Sequence, residues 1–236
     1  MPDTAFVDGK KKWPKVLTFD TSGPFVSVGW ATESYSGGAV HDMARGQAEA
    51  LFPLLETQLA DCRWTWDDVD VIGVAVGPGN FTGIRIGVSA ARGLGLALGI
   101  PVFAINQFEL AHGYSPLPAG TLISVPAPRD MSFVQGANMG GVLISQSGLL
   151  IDPADPPADF QLSGGMEIRG HRAAEIASHF DATGIDESYT TDPGRMAEIA
   201  EFKYRDATAF PPRPAPQYVK APDAAPARDP GPAILA

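Results

Sequence analysis

Cysteine is all but missing: Cys62 is the one thiol in 236 residues. No disulfide framework is open within the chain, and such sparse usage fits a reducing compartment. Positive charge is also short. Seventeen Lys and Arg stand against 27 Asp and Glu, for a net charge of −10 and a pI of about 4.7. A chain that grips nucleic acid unaided usually carries a basic patch, so direct binding is disfavoured. No stretch of about 18 apolar residues is free of polar interruption, and no membrane span is expected. Lys10, Lys11 and Lys12 are followed by no adequate apolar run, so no secretory signal is read there. The expected compartment is the cytoplasm.

The common catalytic sets are missing too. The histidines are His41, His112, His171 and His179. No pair is spaced i, i+4, the spacing that turns two imidazoles toward one metal from a helix. Ser22, Ser89 and Ser132 lack the context of a nucleophile elbow. A P-loop needs a Lys after its last Gly, but Gly83 is followed by Ile84. Gly77, Gly79 and Gly83 are one residue too widely spaced for the dinucleotide fingerprint.

What is present concentrates between Val71 and Gly99. Val71–Val76 is a Val-rich run without polar alternation, which predicts a strand buried on both faces. Gly77-Pro78-Gly79-Asn80 stops it. From Thr82 to Leu98 the pattern turns helical, with Thr82 or Asn80 as N-cap and Gly99 and Pro101 as the stop. This helix is rich in glycine, at about 0.5–1 kcal/mol per internal Gly relative to Ala. Gly83, Gly87 and Ala91 recur at i, i+4, i+8 and share one face. That face suits either close packing on the chain's own sheet or the approach of a helix from another chain.

Around this unit the chain reads as alternating strands and helices. Residues 1–14 are expected to be a disordered extension, 15–116 a first lobe, 117–209 a second lobe, and 210–236 a proline-rich tail. Lys15–Phe19 and Phe25–Ala31 form a hairpin whose turn, Asp20-Thr21-Ser22-Gly23-Pro24, sets a carboxylate and two hydroxyls at a sheet edge. Gln47–Cys62 is an amphipathic helix with Leu51, Leu54, Leu55 and Leu59 on its stripe. Strands are expected at Ile100–Ile105, Thr121–Val125, Ser132–Met139 and Gly141–Ile144. Helices are expected at Asn106–Gly113, His171–Phe180 and Gly194–Arg205. No internal sequence repeat is found. The residues alone reach a soluble α/β protein, with an enzyme, a binding module and a subunit all open.

Three segments carry a resemblance: LTFDTSGPFVSVGWA (17–31), QAEALFPLLETQL (47–59) and GVAVGPGNFTGIRIGVSAARGLGLALGIPV (73–102). The end PAPQYVKAPDA (214–224) joins them. Together they resemble the TsaB (YeaZ) family, strongly from Leu17 to Leu110 and again near Tyr218 and Val219. The resemblance implies an α/β fold of the actin/Hsp70/sugar-kinase (ribonuclease H-like) type with two lobes. It implies a non-catalytic scaffold or activator subunit in a tRNA-modifying assembly. There the paralogue TsaD adds threonylcarbamoyl to adenosine 37 of tRNAs reading ANN codons, and TsaE, an ATPase, joins the TsaB–TsaD heterodimer. tRNA is met through the complex, and a homodimer is open to the lone chain.

Residue by residue, the resemblance makes Asp20, Thr21, Ser22, Gly77 and Gly79 the remnant of a nucleotide/phosphate loop. The partner interface falls on Leu51, Leu54, Leu55, Thr82, Gly83, Arg85, Gly87 and Ala91, with Arg85 as an interface or loop-bracing cation. The metal-binding histidine pair of the catalytic paralogue maps onto Gln107 and Ala111, so no catalytic or metal-ligating residue is expected. No cofactor is expected on this chain alone, ATP and metal belonging to the partners. Rival readings are an M22-type metallopeptidase-like enzyme and an independent nucleotide-binding module.

Overall fold

The computed structural model describes residues 6, 9–112, 118, 120–136, 148–162, 164–189 and 191–219. Five strands build the first sheet: β1 (Val16–Asp20), β2 (Phe25–Ala31), β3 (Ser36–Asp42), β4 (Val71–Ala75) and β5 (Val102–Ile105). Their spatial order is β3-β2-β1-β4-β5. The β1–β2–β3 meander is antiparallel, and β4 and β5 join it in parallel. Crossover helices make the parallel joins possible: α1 (Gln47–Asp61) between β3 and β4, and α2 (Phe81–Leu98) between β4 and β5.

The second sheet repeats the plan. Its strands are β6 (Leu122–Pro126), β7 (Ser132–Gly136), β8 (Leu149–Ile151), β9 (Met166–Gly170) and β10 (Ala182–Asp186). They run β10-β9-β6-β7-β8, again with an antiparallel meander and two parallel additions. Helix α3 (Gln107–His112) leads into it, and α4 (Ala173–Ala177) lies between β9 and β10. The expected strand Gly141–Ile144 falls outside the described residues. So do residues 220–236 of the tail.

Both faces of β4 are buried, as its unalternating sequence predicts. Ile72, Val74 and Val76 face α1 and α2 in a cluster with Leu17, Phe19, Leu51, Leu55, Ile84 and Val88. Val71 and Ala75 face the other way, onto Met196, Ala197, Ile199 and Ala200. Those four belong to α5 (Pro193–Asp206), the last helix. The sequence boundary at 117–209 puts this helix in the second lobe; it returns instead to cover the first sheet. The reason is geometric. The β1–β4 strands carry apolar side chains on both faces, while α1 and α2 occupy only one of them.

Part of the N-terminal segment that reads as a disordered extension lies along α5. Lys10 Nζ donates to the carbonyls of Arg205 and Ala207, each at 2.8 Å, where a helix C-terminus offers free acceptors. The Lys11 amide donates to the Tyr204 hydroxyl at 2.9 Å.

Candidate functional site

β1 and β4 end side by side, and the loops beyond their carboxyl ends meet. That is where ligands of open α/β sheets commonly bind. The Thr21 hydroxyl donates to the Gly83 carbonyl at 2.7 Å. The Asn80 amide donates to the Ser22 carbonyl at 2.6 Å. Asn80 is also the N-cap of α2, its side chain accepting from the Gly83 amide at 2.9 Å. The Gly77–Pro78 peptide is cis. The two loops are thus tied to each other through their own polar groups.

The centre of the site is Gln107, at the start of α3. This short helix joins the lobes: Phe108 is buried against Ile123, Val125 and Phe133 of the second, and Leu110 against the α5 side of the first. Gln107 is held between them, 5% exposed. Its Nε2 donates to Asp20 Oδ2 at 2.8 Å and to Ser22 Oγ at 2.9 Å. Its Oε1 accepts from the hydroxyl of Tyr189, which reaches in from beyond β10. Both amide hydrogens and the amide oxygen are therefore used.

Asp20 is 1% exposed, and its Oδ1 accepts from the Ser22 amide at 2.6 Å. Burial pushes its carboxyl above the usual carboxylate range, against the opposing hydrogen bonds from Ser22 and Gln107. Burial and the Asp20 charge also push the Tyr189 phenol well above its ordinary value, so Tyr189 remains a donor. Outside this polar knot lies a cleft of about 570 Å³, lined by residues such as Ser22, Gly79, Asn80, Pro126 and Thr191. Its described lining contains no Lys, Arg or His.

The loop residues expected together are brought together: Asp20, Thr21, Ser22, Gly77 and Gly79 share this place. Their vacant positions are filled from within. A Cβ on Gly79 would lie 2.6 Å from the Ser22 carbonyl oxygen. One on Gly77, at φ +100°, would lie 2.9 Å from the Gln217 carbonyl oxygen. The glycines seat protein backbone here.

Five of the expected interface residues require correction. Leu51 and Leu55 are 1% and 0% exposed, inside the first lobe's own core. Gly83, Gly87 and Ala91 are buried within the chain as well. A Cβ on Gly83 would sit 1.9 Å from the Thr21 carbonyl oxygen, and one on Gly87 2.8 Å from Thr21 Oγ1. The small-residue stripe lets α2 press onto the β1 loop of its own lobe. The face of α2 turned outward carries Thr82, Arg85, Ser89, Arg92 and Leu96. Leu54 is half-buried against the core.

Arg85 braces the C-terminal segment. Its Nε donates to the Tyr218 hydroxyl at 2.9 Å, and its guanidinium lies 3.9 Å from the centre of the Phe81 ring. Phe81 and Tyr218 are stacked at 4.8 Å. Next door, the Gln217 amide donates to the Val76 carbonyl at 2.7 Å, and Val219 packs on the second lobe's cluster. The segment spans the joint between the lobes.

Sequence reasoning missed the central roles of Gln107 and Tyr189. It placed Gln107 only as a lost ligand position, and Tyr189 lies in a polar stretch with no pattern to mark it. Ala111 has no donor atom at all. Among the described residues no cluster of three or more His, Cys, Asp or Glu is arranged to hold a metal. Ser132 Oγ and His171 Nδ1 lie 2.9 Å apart, but Ser132 is fully buried and no substrate reaches it. No helix among the described residues is long and apolar enough to cross a membrane.

Known proteins bear on this geometry in two ways. In fold, the chain is similar to an uncharacterized protein with similarity to peptidase YEAZ from Pseudomonas aeruginosa. The TM-score is 0.65 at 20% identity, covering 88% of this chain and all of that one. It is similar also to YeaZ from Pseudomonas aeruginosa, with a TM-score of 0.59 at 19% identity over 81% of this chain and 92% of that one. These likenesses define a two-lobed, actin-like α/β fold.

In sequence, residues 31–135 match the family described as TsaD: tRNA N6-adenosine threonylcarbamoyltransferase. An uncharacterized protein of Mycobacterium tuberculosis is 39% identical over 101 residues, 42% of this chain and 48% of that one. The tRNA N6-adenosine threonylcarbamoyltransferase of Chlorobium luteolum is 40% identical over 81 residues, 34% of this chain and 23% of that one. The chain spans about half or less of the length of these relatives. The family match lies across the first lobe and the lead into the second, residues 31–135, and the fold likeness to the YeaZ structures takes in 81–88% of the chain.

Proposed function

We propose that this chain is a non-catalytic subunit of a cytoplasmic assembly that adds threonylcarbamoyl to adenosine 37 of tRNAs reading ANN codons. It acts by binding and activating a TsaD-type partner, and it meets tRNA only through that complex. The observation that carries the reading is the saturated Gln107 amide. Where a catalytic paralogue would hold a metal-binding imidazole, this chain has a neutral side chain already spent on Asp20, Ser22 and Tyr189. Ala111, at the second ligand position, has no donor.

The cleft supports the same reading. Its described lining offers a phosphate no cation, and the nearest buried charge, Asp20, is of the wrong sign. Nucleotide and metal are therefore assigned to other subunits, among them a TsaE-type ATPase. The first turns of the outward face of α2, with Thr82 and Arg85, are the surface assigned to the TsaD-type partner, beside Leu54 and the exposed Phe52 of α1. Exposed aromatic and Arg side chains suit such a role.

Co-purification of the tagged chain with a TsaD-type protein from the same cell tests the pairing. A one-to-one complex is the expected result. Recovery of the chain alone, together with stoichiometric zinc or iron retained through chelator dialysis, would favour the metallopeptidase-like alternative. Saturable ATP binding by the isolated chain would favour a nucleotide-binding module.

A further inference from the structure

A second hollow lies at the far end of α2, away from the cleft. One wall is the last two turns of the helix. The other is the proline-rich stretch 210–214, reading FPPRP. The space between is about 470 Å³ and mostly apolar, with Ile100 and Val102 at its base. Leu96 is 81% exposed and Phe210 51% exposed on its two walls.

Gly93 lines this hollow, and nothing among the described residues accounts for it. Its neighbours in the helix are explained: Gly83 and Gly87 meet the Thr21 loop, and a Cβ on Gly95 would lie 2.3 Å from Val102 Cγ2. A Cβ on Gly93 would meet nothing within 4 Å among the described residues. An unforced helical Gly costs helix stability relative to Ala. What its missing side chain secures is the open floor of the groove.

The rim is charged in one sense only. Arg92 stands on the helix wall and Arg213 on the proline wall. Neither makes an ion pair or hydrogen bond among the described residues. On a chain with a net charge of −10, two unpaired guanidiniums flanking one apolar hollow mark a local reversal of sign. The proline wall also limits how a ligand binds. Pro211, Pro212 and Pro214 have no N–H, so that edge cannot extend a peptide as a β-strand. Recognition must come from apolar side chains seated in the hollow and from anions held at the rim.

We propose that this groove binds an acidic–apolar peptide segment of a partner protein, its aliphatic or aromatic side chains over Gly93 and its carboxylates on Arg92 and Arg213. A second copy of this chain is an outcome of the test below; the local Arg92 and Arg213 rim, not the net charge, is what selects an acidic segment. The inference goes beyond the pairing with a TsaD-type protein. Its test needs no such partner, so the two readings fail separately.

The test is fluorescence anisotropy of the full chain with a fluorescein-labelled peptide, Glu-Leu-Phe-Glu-Leu-Glu-Ser, against the same peptide with Lys for each Glu. The acidic peptide should bind saturably at roughly micromolar concentration and the basic one at least about tenfold more weakly. Added salt should weaken the acidic complex. Gly93→Met should fill the floor and weaken binding by about tenfold or more without lowering the melting temperature, since Met is the better helix former. Arg92→Glu with Arg213→Glu should reverse the preference between the two peptides. No saturation by about 1 mM, equal binding to Gly93→Met, or equal binding of both peptides overturns the proposal. So does a homodimer that Gly93→Met abolishes, which makes a second copy the occupant. Binding that appears only after removal of residues 220–236 also overturns it, the chain's own segment then being the occupant.

Discussion

The Tyr189 hydroxyl donates to Oε1 of Gln107, closing the joint between the lobes over a buried carboxylate. The bond makes Gln107 more than a replacement for a ligand. The same amide that leaves no place for an imidazole also satisfies Asp20 and Ser22 from its other end. Gln107→Leu, of similar bulk, should strand Asp20 and Tyr189 in a dry site. A loss of about 1–3 kcal/mol is expected in urea unfolding, with Tyr189→Phe nearer 1 kcal/mol. A Gln107→Leu protein as stable as the parent would show that the knot contributes nothing.

Asp20 should make stability depend on pH in a defined direction. Its folded-state pKa is raised above the ordinary carboxylate value, so the unfolded chain releases this proton first as pH rises. Asp20 is then a stability cost that grows through the acid range from about pH 4 upward and is absent below it. The melting temperature of the parent, minus that of Asp20→Asn, should therefore fall between pH 4 and pH 7. A flat or rising difference would mean that the hydrogen bonds from Ser22 and Gln107 outweigh burial.

Two glycines of α2, ten residues apart in sequence, should respond oppositely to the same change. Gly83→Ala puts a Cβ 1.9 Å from the Thr21 carbonyl oxygen and strains the Thr21–Gly83 hydrogen bond. It should cost about 1–3 kcal/mol, as overpacking does. Gly93→Ala meets open space and should gain about 0.5–1 kcal/mol from helix propensity. Thermal unfolding of both variants checks the assignment of faces.

That assignment marks the limit of the sequence. The spacing of Gly83, Gly87 and Ala91 fixes that they share a stripe, because helical periodicity is local. What the stripe faces depends on the loop at Thr21, 62 residues away, and no local pattern records that. The unit from β4 to α2 was legible for the converse reason: an unbroken apolar run, a Gly-Pro-Gly stop and a helical period all lie within one window. β9 and β10 were not expected. Their sequences, MEIRG and ATGID, are partly exposed and carry charged residues and glycine, so neither an alternation nor a continuous apolar run stands out. The likeness of the two sheets is also hidden. Strand order and direction repeat, but each sheet fills its own core with different side chains, and topology leaves no sequence period. Tyr189 left no mark either, since one aromatic in a polar connection is unremarkable until the fold brings it to Gln107.

Arg85 should hold the C-terminal segment to α2. Arg85→Ala removes its hydrogen bond to Tyr218 and its contact with the Phe81 ring. A cation–π contact at such an exposed place is worth about 0.5–1 kcal/mol. The Gln217 amide, bonded to the Val76 carbonyl, should therefore exchange with deuterium several-fold faster in the variant while β4 stays protected. Unchanged exchange at Gln217 would mean the segment is held by Val219 and its backbone alone.

The claim on which the account rests is that this chain does no chemistry but enables a partner to do it. The direct measurement is mass-spectrometric detection of threonylcarbamoyl-modified adenosine in tRNA, reconstituted with a TsaD-type partner, a TsaE-type ATPase and this chain, each omitted in turn. The account predicts modification only when this chain and the TsaD-type partner are both present, and none from this chain alone. Modification at an unchanged rate without this chain, or any formed by this chain without the partner, would contradict it.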